Sequence, residues 1–171
     1  MVLLVICLNF GQTIISTNMK FIVDNIRSAS NIGSIFRTAD SLGVSEILLC
    51  GISSTPPNKE ILKTALGATE TVKWQYFAHT KDAVDYCQKL HMKIVALEQT
   101  SGSVLLQHFR TTANTAYAIV VGNEVEGVQH DIIQMADTCV EIPQFGQKKS
   151  LNVSVAAGII CWEMLKQQQL G

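Results

Sequence analysis

Much that would announce a function directly is missing from this chain. Its 171 residues contain only three prolines, and they hold no linker-like stretch, no low-complexity segment and no internal repeat. That continuity points to one domain, and a chain of this length can bury a substantial core. Charge is scarce as well: 16% of residues are charged and the formal net charge is −1. No global positive field advertises nucleic acid, so any such contact must come from local basic groups. The five cysteines (Cys7, Cys50, Cys87, Cys139, Cys161) form no C-x-x-C pair and are odd in number. Each sits in an apolar or strand-like setting, which fits reduced thiols in a cytoplasmic protein better than a disulfide framework. The four histidines show no ligand spacing, so no metal is expected. The apolar run Val2–Leu8 is too short to span a bilayer and lacks the basic flank of a secretion signal. Met19-Lys20 offers an alternative start, which would leave residues 1–18 as an N-terminal extension of uncertain role and 19–171 as the folded domain.

Apolar residues are plentiful. They make up 47% of the chain, and mean hydropathy is +0.24, rather apolar for so few charges. A mostly buried parallel sheet, an oligomer interface, or both would account for this. From residue 20 onward, strand-like and helix-like segments alternate. "KFIVD" (20–24), "EILLCG" (46–51), "VKWQYF" (72–77), "KIVALEQ" (93–99), "YAIVVG" (117–122) and "CVEIP" (139–143) read as strands. Helices are expected over 31–42, with Ile32, Ile35, Phe36 and Ala39 inward; over 58–66; over 80–90, with Ala83, Val84, Cys87 and Leu90 inward; and from Val153 to the C-terminal end. The alternation predicts an α/β fold with a mainly parallel sheet flanked by helices. Ligands in such folds sit beyond the carboxyl ends of the strands, so the loops after Asp24, Leu97, Val121 and Ile142 are the candidates.

Three stretches carry possible chemistry. In "DNIRSASNIGSIFRTADSLGV", Asn31 lies at a helix mouth and Arg37 follows six residues on, roughly 9 Å along the axis. Gly33 is out of place inside a helix, where it costs about 1 kcal/mol against Ala. It reads either as an incidental residue in a capped amphipathic helix or as room for a backbone or phosphate to approach. In "VVGNEVEGVQ" a hydrophobic strand ends at Gly122, followed by Asn123 and Glu124. This is neither a dinucleotide fingerprint nor a P-loop, since G-x-G-x-x-G and G-K-[ST] are both absent. In "IPQFGQKKSLNVSVAAGIICWEM" an apolar helix begins with Ser150, Asn152 and Ser154. Those small polar groups suit ordinary capping, and equally suit one wall of a ligand site.

Taken together, in this order and spacing, the three stretches resemble the SpoU/TrmH-type RNA ribose 2′-O-methyltransferases of the SPOUT superfamily. The resemblance covers about residues 20–165 and includes "IGSIFRTAD", "PPNKEILKTALGA" and "SLNVSVAAG". It implies a SPOUT fold, an α/β domain whose C-terminal part forms a deep trefoil knot, in departure from the usual rule against threaded connections. It implies S-adenosylmethionine as cofactor (S-adenosylhomocysteine as product), bound at Leu97, Gly122, Ile142 and Leu151, with adenine among Ile142, Leu151 and Val121. The catalytic groups it implies are Arg37, Asn31, Glu124, Ser150 and Asn152. Since an arginine is essentially never deprotonated, Arg37 is expected to stabilise the developing alkoxide. Glu124 and Asn152 are expected to order the loops and Arg37, and Ser150 either to cap the helix or to hold ribose or phosphate. The implied partners are structured tRNA or rRNA and a second copy of the chain, with Arg37 of one subunit reaching the cofactor held by the other; no membrane and no metal are called for.

The chain departs from the family pattern at Gln144, where Met is common, and at Lys149, where an acidic residue often stands. Lys149 would gather with Arg27, Arg37 and Lys148 near the site. Lys59 and Lys63 either extend that basic patch toward RNA phosphates or form a solvated helix face. Some relatives carry a separate N-terminal RNA-binding domain, for which this chain has no room. A catalytically silent RNA-binding homologue with the same knotted fold is the alternative function. A nucleotide-dependent enzyme of another reaction, such as a dehydrogenase, is a further rival.

Overall fold

A computed structural model of the chain describes residues 17–147 and 150–169. The chain builds β1 (Thr17–Asp24), α1 (Ala29–Leu42), β2 (Val44–Cys50), α2 (Lys59–Ala65), α3 (Ala68–Thr71), β3 (Lys73–Phe77) and α4 (Thr80–Lys89). Next come β4 (Lys93–Leu97), β5 (Val104–Leu105), β6 (Tyr117–Val121), α5 (His130–Met135), β7 (Thr138–Glu141) and α6 (Val153–Gln169). The strands form one sheet in the order β3-β2-β1-β6-β4-β7-β5, and every pairing is parallel. The expected extension, residues 1–18, lies almost wholly outside the described residues.

The parallel sheet explains the apolar runs, because both of its faces are covered. Along β1, Phe21 and Val23 point to one layer and Ile22 to the other; β6 does the same with Ile119 and Val121 against Ala118 and Val120. The first layer packs under α1, α2 and α6, through Ile32, Ile35, Phe36, Ile61, Ile160 and Met164. The second packs under α4 and α5, through Ala83, Val84, Cys87 and Ile132. Burying each of these larger side chains contributes roughly 1.5–3 kcal/mol.

Caps set the helix limits. Ser28 accepts from the Asn31 N–H to start α1, and Gly43 in the left-handed region ends it. Asn58 caps α2 through the N–H groups of Glu60 and Ile61. Gly33 has a packing explanation: a β-carbon there would lie 2.0 Å from Thr64 Oγ1 and 2.4 Å from the Ile61 carbonyl oxygen. It is the backbone of α2 that approaches this glycine.

One helix face differs from expectation. Leu90 is not inward: it follows the last turn of α4 and is 48% exposed. In α6 the buried residues are Ala157, Ile160, Cys161 and Met164, whereas Val155, Ile159 and Trp162 stand out from the surface. Because α6 is apolar around most of its circumference, its sequence period does not tell these faces apart. The short elements α3, β5 and α5, at four, two and six residues, have no counterpart in the sequence reading. A period needs more residues than that to show itself.

Candidate active site

All strands being parallel, the loops after β1, β4, β6 and β7 emerge at one end of the sheet. Those after β4, β6 and β7, together with the start of α6, enclose a cavity of about 1080 Å³. Leu97, Gly122, Ile142 and Leu151, the four expected cofactor contacts, all line it, as do Val121, Glu124, Ser150 and Asn152. Apolar walls with a few fixed polar groups are what a small-molecule site requires. The charged residues among the described lining are Glu98, Glu124, Glu126 and Glu141.

The loop after β6 is a built turn. Asn123 and Gly127 exchange backbone hydrogen bonds at 2.9 Å in both directions. Asn123 Oδ1 accepts from the N–H groups of Val125 (2.8 Å) and Glu126 (3.2 Å), and its Nδ2 donates to the Asn25 carbonyl at 2.7 Å. Gly122 is where two backbones meet, since a β-carbon there would lie 2.3 Å from both the Gly127 carbonyl carbon and the Val128 nitrogen. Glu98 fastens the far side, accepting from Val128 N–H at 2.8 Å and Gln99 N–H at 2.9 Å. Asn123 and Glu98 were assigned no role from sequence. Their signal was position alone: each follows an apolar strand.

This turn presents Glu124 to the mouth of α1. Its Oε1 accepts from Ser28 N–H (3.1 Å) and Asn31 Nδ2 (2.9 Å), and its Oε2 from Arg27 N–H (3.1 Å). Burial alone would raise the pKa of this carboxyl, but hydrogen bonds from Asn31 and from backbone N–H groups, those of Arg27 and Ser28 included, outweigh it and hold the pKa below its ordinary value. Asn31 Oδ1 then accepts from Asn152 Nδ2 at 2.9 Å. Asn152 Oδ1 in turn accepts from the backbone N–H (2.9 Å) and hydroxyl (2.7 Å) of Ser154. Asn152, not Ser150, therefore caps α6, which leaves Ser150 exposed on the cavity wall. The polar helix mouth both caps and faces the site.

Arg37 stands apart from these four. It lines a separate hollow of about 680 Å³ between α1, α2 and α6, with Ser34, Thr38, Lys63 and Trp162 among its neighbours. Six residues at about 100° each put it roughly 120° around α1 from Asn31. Within one chain, Glu124 and Asn152 hydrogen-bond to the Arg27–Asn31 segment. Lys63 shares the hollow of Arg37; Lys148 and Lys149 lie outside the described residues.

Other chemistry finds little support. Burial pushes the Cys50, Cys87 and Cys161 thiols up to about 12, the charge of Asp24 adding to the effect at Cys50, so none is a thiolate nucleophile. Among the described residues there is no group of three metal-ligating side chains, and no helix is long and apolar enough to cross a membrane.

Comparison with known proteins places this geometry. Residues 18–162 match the SpoU rRNA Methylase family. The chain belongs to that family. It is 32% identical, over 152 residues, to the 23S rRNA (guanosine-2′-O-)-methyltransferase RlmB of Neisseria meningitidis serogroup B, covering 89% of this chain and 60% of the relative. The AdoMet-bound rRNA methyltransferase from Sinorhizobium meliloti superposes with a TM-score of 0.80 at 28% identity, covering 90% of this chain and 57% of that one. The A. aeolicus TrmH/SpoU tRNA modifying enzyme gives 0.78 at 28% identity, covering 88% of this chain and 75% of that one. The chain thus spans about 60% of the length of the curated relatives it matches first.

Proposed function

We propose that the chain is an S-adenosylmethionine-dependent RNA ribose 2′-O-methyltransferase acting on tRNA or rRNA, working in the cytoplasm as a homodimer with composite sites. The observation that carries this reading is the Glu124–Asn31–Asn152 chain of hydrogen bonds, which ties the mouth of α1 to the wall of the cavity. The strand order β6-β4-β7-β5, with α6 packed beside α1, is compatible with a deep trefoil knot.

The cavity fits the cofactor by its residue types. Leu97, Val121, Ile142 and Leu151 offer an apolar slot for adenine. When bound, S-adenosylmethionine supplies an electrophilic methyl group for in-line displacement. Gly122 keeps the β6 loop close enough for its backbone groups to line the slot, and Glu124, Asn31 and Asn152 keep that loop in register with α1. A ribose 2′-hydroxyl is a weak nucleophile that takes on alkoxide charge as its proton departs to solvent, the O–CH3 bond forming as the S–CH3 bond breaks. Arg37 donates to that developing charge; its guanidinium keeps its protons. Ser150, exposed on the wall, is placed to hold ribose or phosphate.

Arg37 lies in the same hollow as Trp162, and the exposed ridge of Val155, Ile159 and Trp162 on α6 is apolar surface that a second copy would cover. A twofold partner seated there makes two equivalent sites, each combining an Arg37 with the other subunit's cavity. The reading is tested by incubating the protein with S-[methyl-³H]adenosylmethionine and RNA from cells deleted for its gene, then mapping 2′-O-methyl positions. New, site-specific 2′-O-methylation that survives EDTA is expected. Cofactor and RNA binding without any transfer would favour a catalytically silent binding protein instead.

A further inference from the structure

The loop from β7 to α6 holds a side chain that the reaction above does not use. Phe145 is 94% exposed, more than any other large hydrophobic residue among those described. Its chain neighbours Gln144 and Gly146 both line the large cavity, whereas the Phe145 ring is not part of that lining and stands in solvent beside it. The loop beneath is anchored. Gln144 Nε2 donates to the Ile142 carbonyl at 2.9 Å, and Ile142 packs against the core. Nothing lies within 4 Å of where a side chain on Gly146 would begin, so the space next to the ring is open. Two further exposed apolar residues, Val125 and Leu151, stand on the cavity wall.

We propose that Phe145 is a stacking platform for an RNA base next to the methylated nucleotide, a substrate-positioning residue for this site; this rests on the RNA methyltransferase reading. A planar ring set among the exposed amides of Gln144 and Gln147 suits a base, which presents an apolar face and a polar edge. A protein interface would be served by contiguous apolar surface, which is what α6 offers and this loop does not. In a chain with a formal net charge of −1, stacking supplies affinity that a general positive field does not. Stacking also tolerates any base identity, so it fixes the depth and orientation of the strand over the cavity without reading sequence.

The test compares the parent with Phe145→Ala, Phe145→Leu and Phe145→Trp. RNA affinity is read by filter binding to bulk tRNA and to 23S rRNA, single-turnover methylation on the same RNA, cofactor affinity by calorimetry, and subunit state by sedimentation. Ala and Leu should both weaken RNA binding, or raise KM, on the order of ten- to a hundredfold, with cofactor affinity and subunit state unchanged. Trp should restore parental binding, because it keeps a stacking face; Leu should not, because it keeps only bulk. Unchanged RNA binding in Phe145→Ala overturns the proposal. So does a parallel loss of cofactor affinity, which would make the ring a cover for the cofactor, and so does dissociation of the dimer, which would make it an interface residue. If the parent itself neither binds nor methylates RNA, the functional reading fails and the platform with it.

Discussion

Asn31 donates its Nδ2 to Glu124 Oε1 at 2.9 Å, across 93 residues of sequence, and with its Oδ1 accepts from Asn152 Nδ2 at the same distance. One amide therefore uses both ends to join the first turn of α1 to the loop after β6 and to the start of α6. Only an amide does this: the acid lacks the donor and a hydrophobe lacks both. Removing it takes one hydrogen bond each from an exposed carboxylate and an exposed amide, a loss of about 0.5–1.5 kcal/mol.

Asn31→Asp gives that relationship a pH signature. It sets two carboxylates against each other, so one of them is driven to hold a proton in the folded state and its pKa rises. A raised folded-state pKa costs stability as pH increases, and the cost fades as pH falls. In the parent the sign is opposite: Glu124 is held below its ordinary value, so its contribution is present above the normal carboxylate range and is lost only as pH falls through the lowered value. Urea midpoints measured between about pH 8 and pH 5 should show the variant's deficit shrinking toward acid. The deficit of Asn31→Ala should stay nearly constant over that range. Equal pH profiles for both variants would remove Glu124 as the partner.

Gly33→Ala sets helix propensity against packing. On propensity alone alanine should add up to about 1 kcal/mol to α1. The new β-carbon would meet Thr64 Oγ1 at 2.0 Å and the Ile61 carbonyl at 2.4 Å. The hydroxyl can move but the backbone carbonyl cannot do so cheaply, and the net result should be a loss of about 1–3 kcal/mol. Because the carbonyl stays in place, Thr64→Ala should not rescue it. Chemical denaturation decides the sign; a gain in stability would mean that α1 and α2 separate freely.

How far such relationships were legible depends on what fixes them. The central strands were visible because two covered faces demand continuous apolar residues, as in "FIVD" and "YAIVV". The inward face of α1 was visible because Ile32, Ile35, Phe36 and Ala39 repeat with its turn. The outward set of α6 was not, since Val155, Ile159 and Trp162 are as apolar as Ile160 and Met164. Glu124 could be named from its motif, but its bond to Asn31 depends on β6 lying beside β1, a pairing between strands far apart in sequence. Arg37 is the reverse case. Its placement away from Asn31 follows from helix geometry alone, whereas its meeting with a second subunit's cavity is implied only by the family resemblance.

Arg37→Ala should therefore separate binding from chemistry. The residue lines a different hollow from the cavity, so affinity for S-adenosylhomocysteine should stay within about twofold, while single-turnover methylation should fall by on the order of 10²-fold or more, the scale of losing one stabilising donor. Gly122→Ala should do the opposite. Its β-carbon would press on the backbone at Gly127 and Val128, so cofactor affinity should fail first. Methylation at the parental rate by Arg37→Ala would end its assigned role.

The separation of Arg37 from the cavity also makes subunit sharing testable. Leu151→Asp would put a carboxylate on the apolar wall of the slot and should abolish cofactor binding, leaving that chain's Arg37 intact. An Arg37→Ala chain has the converse defect. Each homodimer should be inactive. In a mixed dimer, the cavity of the Arg37→Ala chain meets the arginine of the Leu151→Asp chain, and one of the two sites is whole. Subunit exchange should therefore restore methylation, up to half the parental rate per dimer when every dimer is mixed. If mass spectrometry demonstrates mixed dimers and no activity returns, each site is built within one chain. In that case Arg37 would have to reach its own cavity by a movement of α1 against α6, at the cost of the packing that holds Phe36 and Met164 in the core.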